Sequence, residues 1–263
     1  MGTLAGRGTT SSRWAPGYRE WLPESGVREA IACLWVAVTA ADAGPSVAAV
    51  MPDGCADVIW QHGKGAFVAG PDTGPAPADM APGTILVGAR FRPGAGGPAL
   101  GLPLADVRDQ RIDLADLLPG LADRLPADLT PDQAVMTVTT LATELVATAP
   151  PDKLVVTATR LLASDQTSVT DLAPALAVSE RQLRRRFDQA VGYGPKTMQR
   201  ILRFRRALGQ LAAEPRSTDL ADLAARAGYA DQAHLTRETT RLAGLPPAAL
   251  ARSFAGLQYE MPR

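Results

Sequence analysis

Fifteen of the residues in the stretch 70–103 are glycine or proline. Proline has no amide proton for a helix or a central strand, and glycine loses the most backbone entropy on ordering, so no long helix can cross this stretch. The short apolar or β-branched segments 46–51, 56–60, 66–69 and 84–91 are each bounded by Gly, Pro or Asp. They read as strands joined by tight turns. Residues 14–35 mix similar punctuation with Trp and Leu and read as extended chain with a short helix after Pro23. A compact, mostly β N-terminal domain follows from this pattern.

Beyond Pro103 the pattern turns helical, first over residues 104–118 and then from Thr130 to about Thr148. Thr130, Pro131 and Gln133 supply an N-cap, a proline at the first helical position and the closing residue of a capping box. Val138, Leu141 and Leu145 form an apolar stripe that can bury against its own domain or a second subunit, and the spacing does not separate the two. Pro150-Pro151 ends this segment. The expected division is therefore a sensor or dimerisation domain with connector helices over 1–150 and a helical domain over 151–263. Charge divides the same way: residues 152–263 hold 17 Lys/Arg against 11 Asp/Glu, and residues 1–151 hold 10 against 16.

Two stretches of the basic half, 169–192 and 217–244, repeat one plan. In the first, Leu172, Ala173 and Leu176 lie on a short helix, a turn falls near Ala177-Val178, and Ser179 caps a second helix with Gln182 three positions on. In the second, Leu220, Leu223 and Ala224 share a face, Gly228 permits a sharp turn and Asp231 caps the next helix. Helix, tight turn, helix is a unit that can present its second helix to the DNA major groove. On the first such helix Leu183, Phe187 and Ala190 form the buried stripe, while Arg181, Arg184, Arg185 and Asp188 share another face. Three like charges on one face repel, and guanidinium pairs bidentately with guanine or phosphate, so nucleic acid is weighed there against a merely solvated face. On the second helix Leu235 and Leu242 face inward, and Gln232, Ala233, Thr236 and Arg237 outward. Between the units, the segment opened by Pro195 reads as one helix about 27 Å long. Its stripe is Met198, Ile201, Leu202, Leu208 and Leu211, ringed by Arg200, Arg203, Arg205 and Arg206.

The segments LAPALAVSERQLRRRFDQAVGYGPK, RILRFRRAL and DLAARAGYADQAHLTRETTRLAGLPPAAL, in that order, resemble the DNA-binding domain of AraC/XylS-type bacterial transcription regulators. The resemblance implies an α+β chain: a mostly β, cupin-like or small-barrel N-terminal domain, then an all-α domain with two helix-turn-helix units joined by a long helix. It further implies that Arg181, Arg184 and Arg185, then Gln232, Ala233, His234 and Arg237, meet base edges, and that Ser179 and Thr236, beside Gln182 at the first helix start, lie against the backbone. Implied partners are duplex DNA, a small-molecule effector, RNA polymerase and a second copy of the chain. This chain has Thr239 where the family carries an aromatic, which implies looser packing of the second unit. MPDGCADVIW and VGARFRPGA resemble the small β-rich domain that precedes this module in many regulators.

Other chemistry is poorly provided for. Cys33 and Cys55 are the only cysteines, spaced for neither a CxxC pair nor a zinc cluster, and point to a reduced, cytoplasmic protein. Either could accept an alkyl group from damaged DNA, the rival reading, or simply fill a core. Asp53 and Asp57 beside Cys55 fit a Pro-Asp-Gly turn better than a ligand or metal site. His62 and His234 allow no multi-histidine metal site, and no phosphate-binding loop, nucleophile elbow or dinucleotide fingerprint occurs. Trp14, Trp21, Trp35 and Trp60 can line a pocket for an apolar effector or fill a core. No catalytic residue, cofactor or metal ligand is assigned. The longest uncharged apolar run, 30–41, is short of a membrane span, and residues 1–13 read as a disordered tail without a secretory signal's apolar block.

Overall fold

The computed structural model describes residues 14–44, 46–164, 167–214 and 219–256. The expected tail, 1–13, and Ser217, where the second repeat begins, lie outside them. The N-terminal part is built on an antiparallel sheet of β1 (Gly17–Trp21), β2 (Ile31–Val38), β4 (Ala56–Gln61), β5 (Gly65–Ala69), β7 (Ile85–Phe91) and β8 (Arg111–Asp113), in the order β1-β2-β7-β4-β5-β8. A separate two-stranded ribbon pairs β3 (Ser46–Val50) with β6 (Ala76–Met80). The strands expected over 46–51, 56–60, 66–69 and 84–91 all form.

Strand alternation sorts the six-stranded sheet into two faces. Leu34, Val36, Val58, Trp60, Val68, Val87, Ala89 and Phe91 bury against α1 (Gly96–Leu100) and α4 (Pro131–Thr148). Thr130 and Gln133 close the capping box of α4, and Val138 and Leu141 are buried in this same core, so its stripe packs on its own domain. The Trp60 indole N–H donates to the Pro126 carbonyl at 2.8 Å, tying the loop before α4 to the sheet.

The opposite face carries Cys33, Trp35, Ile59 and Ala69. A Cβ on Gly88 would stand 2.2 Å from the Trp35 indole, so the ring lies flat on a strand that must be bare there. Only glycine permits that approach.

The strands that form beyond the expected pattern share a cause. The helix expected over 104–118 is instead a 3-10 turn (Leu104–Val107), strand β8, and the short helices α2 (Leu114–Leu117) and α3 (Pro119–Ala122). Strands β2 and β6 also form where no strand was expected, β1 forms in the segment read as extended chain, and the short helix after Pro23 is a 3-10 turn (Ser25–Val27). Each added strand finds a partner distant in sequence: β8 pairs with the β5 edge in the register Phe67↔Asp113, β1 with β2, and β6 with β3. Ladder hydrogen bonds override weak local preference.

The C-terminal helices are α5 (Lys153–Ala163), α6 (Val169–Ala175), α7 (Glu180–Ala190), α8 (Pro195–Ala213), α9 (Leu220–Ala227), α10 (Gln232–Ala243) and α11 (Pro247–Gly256). They surround a second core running from Val155 to Leu250. The two cores meet along a seam where glycines replace side chains. A Cβ on Gly97 would lie 2.3 Å from the Gln189 carbonyl oxygen, one on Gly192 2.7 Å from Pro71, and one on Gly54 2.8 Å from Met198. Backbone bonds cross the same seam, with Gly94 donating to the Ala190 carbonyl at 3.3 Å and Asp152 to that of Gly94 at 2.9 Å.

Candidate nucleic-acid interface

The turn from α6 into α7 follows from three local choices. Ala177 adopts φ 53, which ends α6, and Val178 donates to the Ala173 carbonyl at 3.1 Å. Ser179 then caps α7: its hydroxyl accepts from the Gln182 amide at 3.2 Å, while Gln182 Oε1 accepts from the Ser179 amide at 3.0 Å. Leu183, Phe187 and Ala190 are buried, leaving Arg181, Arg184 and Arg185 exposed together on another face, with Asp188 half-buried. Arg186 is not one of them. Its guanidinium forks onto the Asp152 carboxylate at 2.7 and 2.8 Å, and Asp152 also caps α5.

In the second unit Gly228, at φ 82, makes the turn, and Asp231 caps α10 by accepting from the His234 amide at 2.6 Å. Gln232, Ala233 and Arg237 are exposed, and Thr236 is half-buried with its hydroxyl donating to the Gln232 carbonyl. The His234 ring is turned inward: it meets Tyr229 edge-on at 5.2 Å, and its Nδ1 accepts from the Ala230 amide at 3.4 Å. Thr239 is buried beside Leu235, Leu242 and Ala243. Its hydroxyl has no hydrogen-bond partner.

Helix α8 joins the units and, at 19 residues, is about 28 Å long. Phe204 belongs to its buried stripe beside Met198, Ile201, Leu208 and Leu211; the apolar spacing alone underrates it because arginines flank it on both sides. Those arginines are largely committed within the protein. Arg200 forks onto Glu238 at 2.6 and 2.9 Å, Arg206 donates to the Ala163 carbonyl at 2.6 Å, and Arg203 stands 5.5 Å from the Tyr229 ring centre. Exposed arginines therefore cluster on α7, and Arg237 and Arg241 stand exposed on α10. A groove of about 590 Å³ runs between that arginine face and Pro103 and Ala105 of the β domain.

Around Cys55, the turn reading holds for Asp53, whose carboxylate accepts from the Cys55 amide at 2.9 Å. Asp57 does not cap that turn. It lies in β4, where it accepts from the Trp35 indole at 2.7 Å and from Arg90 Nε at 3.1 Å, because strand alternation points it to the Trp35 face. Burial pushes the Asp57 carboxyl up while Arg90 opposes the shift. Burial also pushes the Cys33 thiol up to about 12 and the Cys55 thiol well above its ordinary value. Neither is a poised thiolate. No group of three or more His, Cys, Asp or Glu that could hold a metal occurs among the described residues. Trp60 fills the first core, Trp14 and Trp21 pack against it, and Trp35 covers Gly88.

Residues 172–253, spanning both units and α8, match the Helix-turn-helix domain family. The chain thus carries a helix-turn-helix domain. Ahead of this domain, residues 19–113 match a Domain of unknown function (DUF6597). No curated protein shows a significant match. Among solved structures, ToxT from Vibrio cholerae O395 is similar at 8% identity and a TM-score of 0.45, over 85% of this chain and 98% of that one. Unsaturated fatty acid bound wild-type ToxT from Vibrio cholerae strain SCE256 is similar at 11% identity and 0.44, over 88% and 98%.

Proposed function

We propose that this chain is a sequence-specific transcription regulator that places α7, and with it α10, in major grooves of duplex DNA. The observation that carries the reading is the exposed Arg181, Arg184 and Arg185 face on a helix held rigidly by its capping box and buried stripe. Arginine is the side chain best suited to read guanine edges bidentately, and a helix fits the major groove. Ser179 and Gln182, already bonded to each other, sit at the α7 N-terminus, where backbone amides favour a phosphate. On α10, Gln232, Ala233 and Arg237 offer the second reading surface, with Thr236 toward the backbone. His234, engaged by Tyr229, acts there by shaping the helix start. A cytoplasmic location fits this role, and no helix among the described residues is long and apolar enough to cross a membrane. An effector of the β domain, RNA polymerase and a second copy of the chain are the further partners the reading expects.

The test is selection of bound sequences from random duplexes, followed by titration of Arg185→Ala. The substitution is expected to weaken binding by about 1–3 kcal/mol and to relax preference at one base position. Unchanged affinity with unchanged preference removes the assignment. The raised thiols of Cys33 and Cys55 favour this reading over an alkyl acceptor, and a mass gain on either thiol after exposure to methylated DNA would reverse that order.

A further inference from the structure

A second cleft, of about 290 Å³, opens where the loop after β5, the turn before β8, the start of α8 and the end of α10 converge. Three arginines stand on its walls, one from each surrounding body: Arg108 from the β domain, Arg200 from α8 and Arg241 from α10. Glu238 already neutralises Arg200. The other two are less committed. Arg108 donates to the Gly192 carbonyl at 3.2 Å but approaches a carboxylate, Asp109, only at 3.9 Å. Arg241 is exposed and forms no ion pair among the described residues.

The acidic group on the walls, Asp109, is engaged by another wall residue, Thr73. Asp109 accepts from the Thr73 amide at 2.6 Å and from its hydroxyl at 2.8 Å. Tyr193 also lines the cleft; it is 3% exposed, and its hydroxyl reaches only the Met198 sulfur at 3.9 Å, a weak acceptor. Cationic side chains thus line a small space from three elements rather than from one. A tetrahedral oxyanion uses such an arrangement better than a flat carboxylate does.

We propose that this cleft binds a compact phosphate group, held between Arg108 and Arg241 at the junction of the β domain, the linking helix and the second reading helix. Arg241 lies one turn beyond Arg237 on α10, so an anion bridging it to Arg108 ties the second reading helix to the β domain. That regulatory consequence rests on the DNA-binding reading; the binding statement does not. The phosphate has two available sources, a free phosphorylated molecule and a backbone phosphate of bound duplex.

The experiment is thermal unfolding of the full chain titrated with inorganic phosphate, against sodium chloride at matched ionic strength. Phosphate is expected to raise the Tm saturably and chloride is not. Arg241→Ala, at an exposed position, should weaken the apparent phosphate affinity about tenfold, the loss of one charge-assisted contact. Asp109→Asn should strengthen it, since a negative wall group is removed and asparagine tolerates the φ of 59 found there. A response no larger than that to chloride, or equal responses from wild type and both variants, overturns the proposal. Duplex affinity in phosphate-free buffer separates the sources: a loss in Arg241→Ala assigns a backbone phosphate, and no change assigns a free one. Because the thermal measurement contains no DNA, failure of the DNA-binding reading leaves its outcome intact.

Discussion

Thr239 shows at single-residue scale how a helix-turn-helix unit accommodates a small side chain in its core. It is 2% exposed, and its hydroxyl is buried without a partner. A buried, unsatisfied hydroxyl costs about 1–3 kcal/mol, whereas valine has the same shape and no polar atom. Thr239→Val is therefore expected to stabilise the protein by about 1 kcal/mol, read as a higher urea midpoint. A lower or unchanged midpoint would mean that the hydroxyl finds a partner in solution. The looser packing expected where an aromatic is replaced takes the form of a polar defect beside the buried Leu235, Leu242 and Ala243.

Between elements, the Arg200–Glu238 pair latches α8 to α10. Hydrogen bonding to Arg200 is the main cause holding the Glu238 carboxyl below its ordinary value. A carboxylate with a depressed folded-state pKa contributes stability that is fully present above its unfolded value and lost as pH falls through the folded one. Glu238→Gln is accordingly expected to lose about 1–2 kcal/mol at pH 7, a charge-assisted bond discounted for partial exposure. The gap to wild type should close as the solution is acidified below the carboxylate range. A gap that persists in acid, measured by denaturant unfolding, would show that the latch acts through packing alone. The neighbouring pair Arg186–Asp152 does comparable work between α7 and the start of α5.

At the scale of the whole molecule, the seam makes the β domain part of the scaffold that presents α7. Gly97 is the cleanest probe, because its backbone is ordinary and only the 2.3 Å approach to the Gln189 oxygen forbids a side chain. Gly97→Ala should separate the two cores, turning one calorimetric transition into two and costing about 1–3 kcal/mol of overpacking. A single transition at an unchanged Tm would show that the domains are not coupled there. Much of this architecture is legible in the chain itself. Capping boxes at Thr130 and Ser179, the cap at Asp231 and the turn at Gly228 each depend on atoms within a few residues, so the helices they start or end can be read locally. The arginine face of α7 is equally local, a matter of helical spacing. What only the tertiary structure decided is pairing across long separations: β8 on the β5 edge, Asp57 beneath Trp35 and Arg90, and Arg200 and Arg206 of α8 bound to Glu238 and the Ala163 carbonyl. The physical reason is that a hydrogen bond or a missing Cβ is selected by whichever surface arrives opposite, and no periodicity along the chain records that surface.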